Sequence, residues 1–126
     1  MNNGYSVSIA ETSMELTAKQ KIALKDTSNA HKLDTTCENG VHLEIEPVGY
    51  AVLEIHNEKS DNKDYEQYVI IASDGNKYIT GSSSFWNTFI DIWNEMCEES
   101  ESWSIECYKL DSKNYKGKQF LTCSII

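Results

Sequence analysis

Arginine is absent: all eleven basic residues are lysines, set against twenty acidic residues, for a net charge of −9. Arg supplies the planar fork suited to phosphates and base edges, and an acidic total repels polyanions at long range. Nucleic-acid binding by overall charge is thereby excluded, and any such contact must come from a local arrangement of lysines. Proline occurs once, at Pro47, and no Pro-rich linker, repeat or low-complexity block divides the 126 residues. That length is about one domain and can bury a core without staples. No apolar run approaches the roughly 18 residues of a membrane helix. The opening Met1-Asn2-Asn3-Gly4-Tyr5 lacks the basic and apolar regions of a secretory signal. The expectation is a cytoplasmic protein with no membrane partner.

Paired metal-ligand motifs are missing too. Cys37, Cys97, Cys107 and Cys123 form no CxxC pair, and His31, His42 and His56 do not complete a ligand spacing. Reduced core thiols are expected, with neither metal nor disulfide framework. The chain has no Gly-x-Ser-x-Gly, no phosphate-cradling Gly loop and no HExxH. Carboxylate pairs such as Glu44/Glu46 and Glu98/Glu99 read as solvated surface. The residues therefore predict no catalysis and no cofactor. They describe a binder.

What the chain does contain is apolar and aromatic substance: 40% hydrophobic residues, with seven Tyr, three Trp and three Phe. Disordered chains lack these. Tyr5 to Ile9 alternates as a half-buried strand. Thr17-Ala18-Lys19-Gln20 has capping-box spacing and opens a short helix through Leu24. Residues 1–40 read as an N-terminal extension packed on a core formed by 41–126. In that core His42 to Glu46 and Tyr50 to Asn57 read as one strand interrupted near Pro47-Val48-Gly49, or as two. Tyr65 to Ala72 and Lys77 to Thr80 flank the turn Ser73-Asp74-Gly75-Asn76. After N-cap candidates in Gly81-Ser82-Ser83-Ser84, Phe85, Phe89, Trp93 and Met96 recur at helical spacing. Strands Trp103 to Leu110 and Phe120 to Ile125 follow, joined by the loop Asp111 to Lys118.

The fold class is therefore mainly β with one amphipathic helix, in the order β-β-β-α-β-β from residue 50. That is the order of an OB-like five-stranded barrel; a curved sheet packed on one helix would share it. Closing a barrel also hides strand edges.

Charge is concentrated in the last loop. Lys109, Lys113, Lys116 and Lys118 face only Asp111, a local charge of about +3, with Tyr115 and Gly117 among them. In an OB reading this is the loop between strands four and five, and the first interstrand loop carries Lys59, Lys63 and Tyr65. Single strands need a positive track and aromatic faces on which bases stack. The candidate nucleic-acid contacts are Lys63, Tyr65, Tyr78, Lys113, Tyr115, Lys116 and Lys118. Tyr78 qualifies if Ile79 pairs inward with Ile70; it could equally cover the second face of a strand buried on both sides, with Val69 and Ile71 on its face. Phe85, Trp86, Phe89, Trp93, Trp103 and Phe120 are assigned to the core.

Tyr50 to Tyr65 (YAVLEIHNEKSDNKDY), Gly81 to Met96 (GSSSFWNTFIDIWNEM) and Ser112 to Ile126 (SKNYKGKQFLTCSII) resemble small single-stranded DNA-binding proteins of phages and mobile elements of Gram-positive bacteria. The resemblance covers about two-thirds of the chain. It implies an OB-type fold, coating of single strands during replication in the bacterial host cytoplasm, and no catalytic residues. The chain departs from the bacterial single-strand binders in lacking Arg and a flexible acidic tail. A second reading uses the acids from Asp91 to Glu101: an inhibitor of the anti-CRISPR kind that imitates a phosphate backbone and occupies a host nuclease. A host nuclease or replication protein is the protein partner these readings allow. Homo-oligomerisation stays open at this level.

Overall fold

The computed structural model describes residues 5–59, 63–99, 101–111 and 117–126. In chain order they form β1 (Tyr5–Thr12), α1 (Ala18–Lys25), β2 (His31–Lys32), α2 (Leu33–Thr36), β3 (Leu43–Ile45), β4 (Pro47–Asn57), β5 (Asp64–Ala72), β6 (Lys77–Thr80), α3 (Ser83–Met96), β7 (Ile105–Asp111) and β8 (Gln119–Ile125). The architecture is mainly β. One sheet has the order β1-β4-β5-β6-β2 and the other β3-β7-β8. No helix among the described residues is long and apolar enough to cross a membrane.

Local chemistry sets the element ends. Thr17 Oγ1 accepts from Gln20 N while Gln20 Oε1 accepts from Thr17 N, a complete capping box that starts α1. Ser82 accepts from Phe85 N and caps α3. Between β5 and β6, Asp74 accepts from Asn76 N and Gly75 takes φ +89, a conformation that L side chains rarely adopt.

The long run from Leu43 to Asn57 is two strands in different sheets, divided at Glu46. Pro47, without an N–H, sits at the first position of β4, where the ladder loses least. The β4–β5 register slips between Pro47 and Gly49. There the chain turns out of one sheet into the other. A Cβ at Gly49 would meet the terminal methyl of Met14, which would have to move aside.

The expected barrel does not close. The outer edge of β6 is taken by β2 in parallel (His31↔Tyr78, Lys32↔Ile79), and among the described residues β8 pairs with β7 alone. The seam between the sheets stays open.

Strands β4, β5 and β6 are buried on both faces. One face, with Val52, Tyr68, Ile70 and Tyr78, packs on α3 and the three-stranded sheet, where Phe85 and Phe89 are fully buried. Each such Phe contributes about 1.5–3 kcal/mol by leaving water. Around them Tyr68 stacks on Trp86 at 4.9 Å, and Trp93 meets Trp103 edge-on at 5.9 Å. The opposite face, with Ala51, Leu53, Val69 and Ile79, packs with Leu24 of α1 and with Leu16, and Val7 and Ile9 of β1 extend it. The segment before residue 40 is thus built into the fold: β1 pairs with β4, while Leu33 and Cys37 are fully buried.

One contact candidate and one core assignment change. Tyr78 lies across from Ile70 and is 8% exposed, so it does not point outward. Ile79 does not send it to solvent, because α1 and α3 cover opposite faces of the same strand. Phe120, assigned to the core, is 43% exposed.

Candidate nucleic-acid interface

Of the residues singled out from sequence, the structure describes Lys63, Tyr65, Tyr78 and Lys118, and of these Lys63 is ion-paired, Tyr65 half-buried and Tyr78 buried. Lys63 lies 3.3 Å from a Glu58 carboxylate oxygen. The neighbouring His56 is held on both sides, Nδ1 to Asp64 at 2.7 Å and Nε2 to Glu58 at 2.6 Å. Those hydrogen bonds, Asp64 first and Glu58 second, raise the His56 pKa. A cavity of about 320 Å³ opens beside it, lined by Ser6, Ser8, Glu54, Asp64 and Glu66 among others. Glu54 and Glu66 face each other directly across β4 and β5. This corner repels phosphate, and Lys63 is spent on a neighbour. Tyr65 is half-buried against the α1-side core. Tyr78 is removed from any surface role by its burial. Lys113, Tyr115 and Lys116 lie outside the described residues. Lys118 is exposed and follows Gly117, whose φ is +78.

A surface that the sequence reading missed adjoins that loop. In the β7–β8 hairpin Cys107↔Cys123 and Lys109↔Leu121 alternate with Tyr108↔Thr122 and Leu110↔Phe120. Side chains alternate between faces along a strand, and directly opposed residues share one. Cys107, Leu121 and Cys123 are buried. Tyr108, Leu110 and Phe120 therefore occupy the outer face of the three-stranded sheet. Leu110 is 45% exposed and Phe120 43%. At the other end the His42 ring stacks on Tyr108, with centroids 4.8 Å apart and planes 8° from parallel. His42 Nδ1 is bonded to Glu106, and Tyr108 OH meets Ser124 Oγ at 3.1 Å, which fixes both rings. At the hairpin end Gln119 Nε2 donates to Asp111 Oδ1 at 3.1 Å, so this acid is occupied. No carboxylate among the described residues lies within ion-pair distance of Lys109 or Lys118.

The result is an aromatic and aliphatic strip, His42–Tyr108–Leu110–Phe120, running towards the lysine loop. Its signal was present in the sequence. Cys107-Tyr108-Lys109-Leu110 and Phe120-Leu121-Thr122-Cys123 carry apolar residues in both alternating sets, so only the pairing register decides which set is buried.

Two further charged regions stand apart. Residues 17–25 carry Lys19, Lys21 and Lys25 with no acid, whereas Lys77 is consumed by α1's carboxyl end, donating to Ala23 O and Asp26 O at 2.7 Å. The end of α3 carries the exposed Asp91, Glu95, Glu98 and Glu99.

Chemistry at the buried thiols is suppressed. Cys37 Sγ donates to Cys107 O at 3.4 Å, and burial pushes the Cys107 thiol far up and that of Cys123 to about 12. A thiol held protonated is neither nucleophile nor ligand. Among the described residues no three His, Cys, Asp or Glu side chains are placed to hold a metal.

No protein-family description, curated protein or solved structure matches this chain.

Proposed function

We propose that this protein binds single-stranded DNA in a sequence-tolerant way, through the outer face of the three-stranded sheet and the lysine loop at its end. The observation that carries the reading is the exposed Leu110–Phe120 pair, continued by the half-buried Tyr108, beside Lys118, in a chain otherwise rich in carboxylates. Aromatic faces supply stacking that every base can use, and the lysines supply the phosphate contacts. The path of the chain supports an OB-like ancestry of the scaffold: β4, β5 and β6 in an antiparallel meander, then α3, then the β7–β8 hairpin joined to the first strand run through β3. In this reading β2 fills the edge that would otherwise complete an OB barrel.

The test is fluorescence anisotropy with labelled oligo-dT at two salt concentrations. Three phosphate contacts on a single strand predict a loss of about 20-fold in affinity between 50 and 200 mM salt. Replacing Lys113, Lys116 and Lys118 by Glu should abolish the signal; unchanged affinity removes the loop from the site.

A second reading, an acidic inhibitor of a host nuclease, is favoured by the corner where Glu58 neutralises Lys63 and Glu54 opposes Glu66. It predicts no oligonucleotide binding at low salt, together with co-purification of a nuclease that Glu54→Lys/Glu66→Lys releases.

A further inference from the structure

Two surfaces on opposite sides of the molecule match each other. The first is α1, whose buried residue is Leu24 and which lies on the β4–β5–β6 face away from α3. Its Ile22 is 71% exposed, the most open of the exposed large hydrophobic residues. Lys19 and Lys25 stand three residues before and after Ile22, hence on the same helix face. The second surface is a groove of about 290 Å³ between α3 and β8, lined by Asp91, Ile92, Glu95, Met96 and Ile125. Its floor is apolar. Asp91 and Glu95, four residues apart, supply a carboxylate on each of two successive turns. Ile125 and Ile126 beside it are 46% and 63% exposed.

We propose that this groove receives α1 of a second copy of the chain, Ile22 seated among Ile92, Met96 and Ile125, and Lys19 and Lys25 against Asp91 and Glu95. The charges are complementary: the α1 face carries only lysines, and the groove rim only carboxylates. The spans agree, about 9 Å between the two lysines along α1 and about 6 Å between the two acids along α3, a difference that flexible lysine stems absorb. A molecule cannot seat its own α1, because the central sheet stands between α1 and α3. The contact is therefore heterologous, and each added copy leaves one free α1 and one free groove. Such contacts do not close on two copies; they grow open chains, or rings of more than two copies where the rotation closes. The contact patch is small, so association is weak and depends on ionic strength, whose screening length falls from about 30 Å at 0.01 M salt to about 3 Å at 1 M.

Sedimentation velocity on the full chain over a concentration series tests this. At low salt the weight-average mass should climb past two chains, and 1 M salt should return it to one chain. Ile22→Asp, at an exposed position, and the double variant Glu95→Lys/Ile125→Lys should each remain one chain while keeping the parent circular dichroism spectrum. Mixed together, the first lends its groove and the second its α1, so association should reappear and stop at two chains. A parent that stays one chain at every concentration overturns the proposal. So does undiminished association of Ile22→Asp, or a parent that plateaus at two chains with no recovery in the mixture.

Discussion

Truncating Phe120 to alanine separates a surface role from a structural one. The ring is 43% exposed, and its cross-strand neighbour Leu110 is 45% exposed, so removal opens no enclosed cavity. Full burial of a Phe is worth about 1.5–3 kcal/mol, and a ring little more than half buried forfeits about 1 kcal/mol. For a domain of this size that lowers the melting temperature by about 4 °C. The effect on DNA should be larger, because one lost base stack costs about 1–3 kcal/mol, an affinity loss of about 5- to 150-fold. Phe85→Ala supplies the contrast. Phe85 is fully buried in the α3 core, and its removal costs about 3–5 kcal/mol, a large part of a total of about 5–15 kcal/mol. The paired assays are a thermal melt and anisotropy with oligo-dT, run below the transition of every variant. Phe120→Ala should melt close to the parent yet bind weakly, while Phe85→Ala should melt early and bind in proportion to its folded fraction. If Phe120→Ala and Tyr108→Ala both bind as the parent does, the strip is not a stacking surface and the reasoning fails.

Protonation of His56 ties the β4–β5 hairpin together. Because Asp64 and Glu58 raise its pKa above 6.5, its contribution is complete below the unfolded value and disappears as pH rises through the elevated one. His56→Gln should therefore lower the melting temperature more at about pH 5.5 than at about pH 9; an equal or reversed difference contradicts the assigned partners. Thr80, 3% exposed, donates to Asp34 at 2.9 Å and accepts from Ser82 N at 3.1 Å. Thr80→Val should cost about 0.5–1.5 kcal/mol by removing these bonds, the exposed Asp34 turning to water, read as a lower urea midpoint at unchanged slope. Of the four thiols only Cys97 is exposed, so a disulfide reagent should titrate one fast thiol in the native protein and three more on unfolding. Two or more fast thiols would place Cys37, Cys107 or Cys123 elsewhere.

Features written in neighbouring residues were legible in the sequence. The Thr17–Gln20 box, the Ser82 cap, the Asp74-Gly75 turn and the Phe85–Phe89–Trp93 stripe all involve partners within four residues, and each is where its spacing placed it. Features set by distant partners were not. Whether Tyr78 faces solvent depends on α1 covering one side of β6 and α3 the other, and alternation along one strand reports a face without saying what lies on it. Barrel closure turned on His31-Lys32, two residues too few to register as a strand, which take the β6 edge. Phe120 was placed inside because apolar residues usually are, although the β7–β8 register sends it out. Lys63 looked available because its ion pair with Glu58 closes across a hairpin. The sequence displayed the lysine loop as a run of charge, but not the sheet face beside it, because only the β7–β8 register decides which residues point outward.

The division of one strand run at Glu46 bears on how the chain is finished during synthesis. The meander of β4, β5 and β6 and the β7–β8 hairpin close over short loops, but Tyr5 pairs with Asn57, and Leu43 pairs with Cys107. Pairings so distant along the chain form slowly. A growing polypeptide therefore carries β1 without a neighbour until residues 51–57 emerge, and β3 without one until residues 105–107 do. The second sheet forms only after residues 105–125 have emerged, so the proposed DNA-contacting surface is completed later in synthesis than the pairing of β1 with β4.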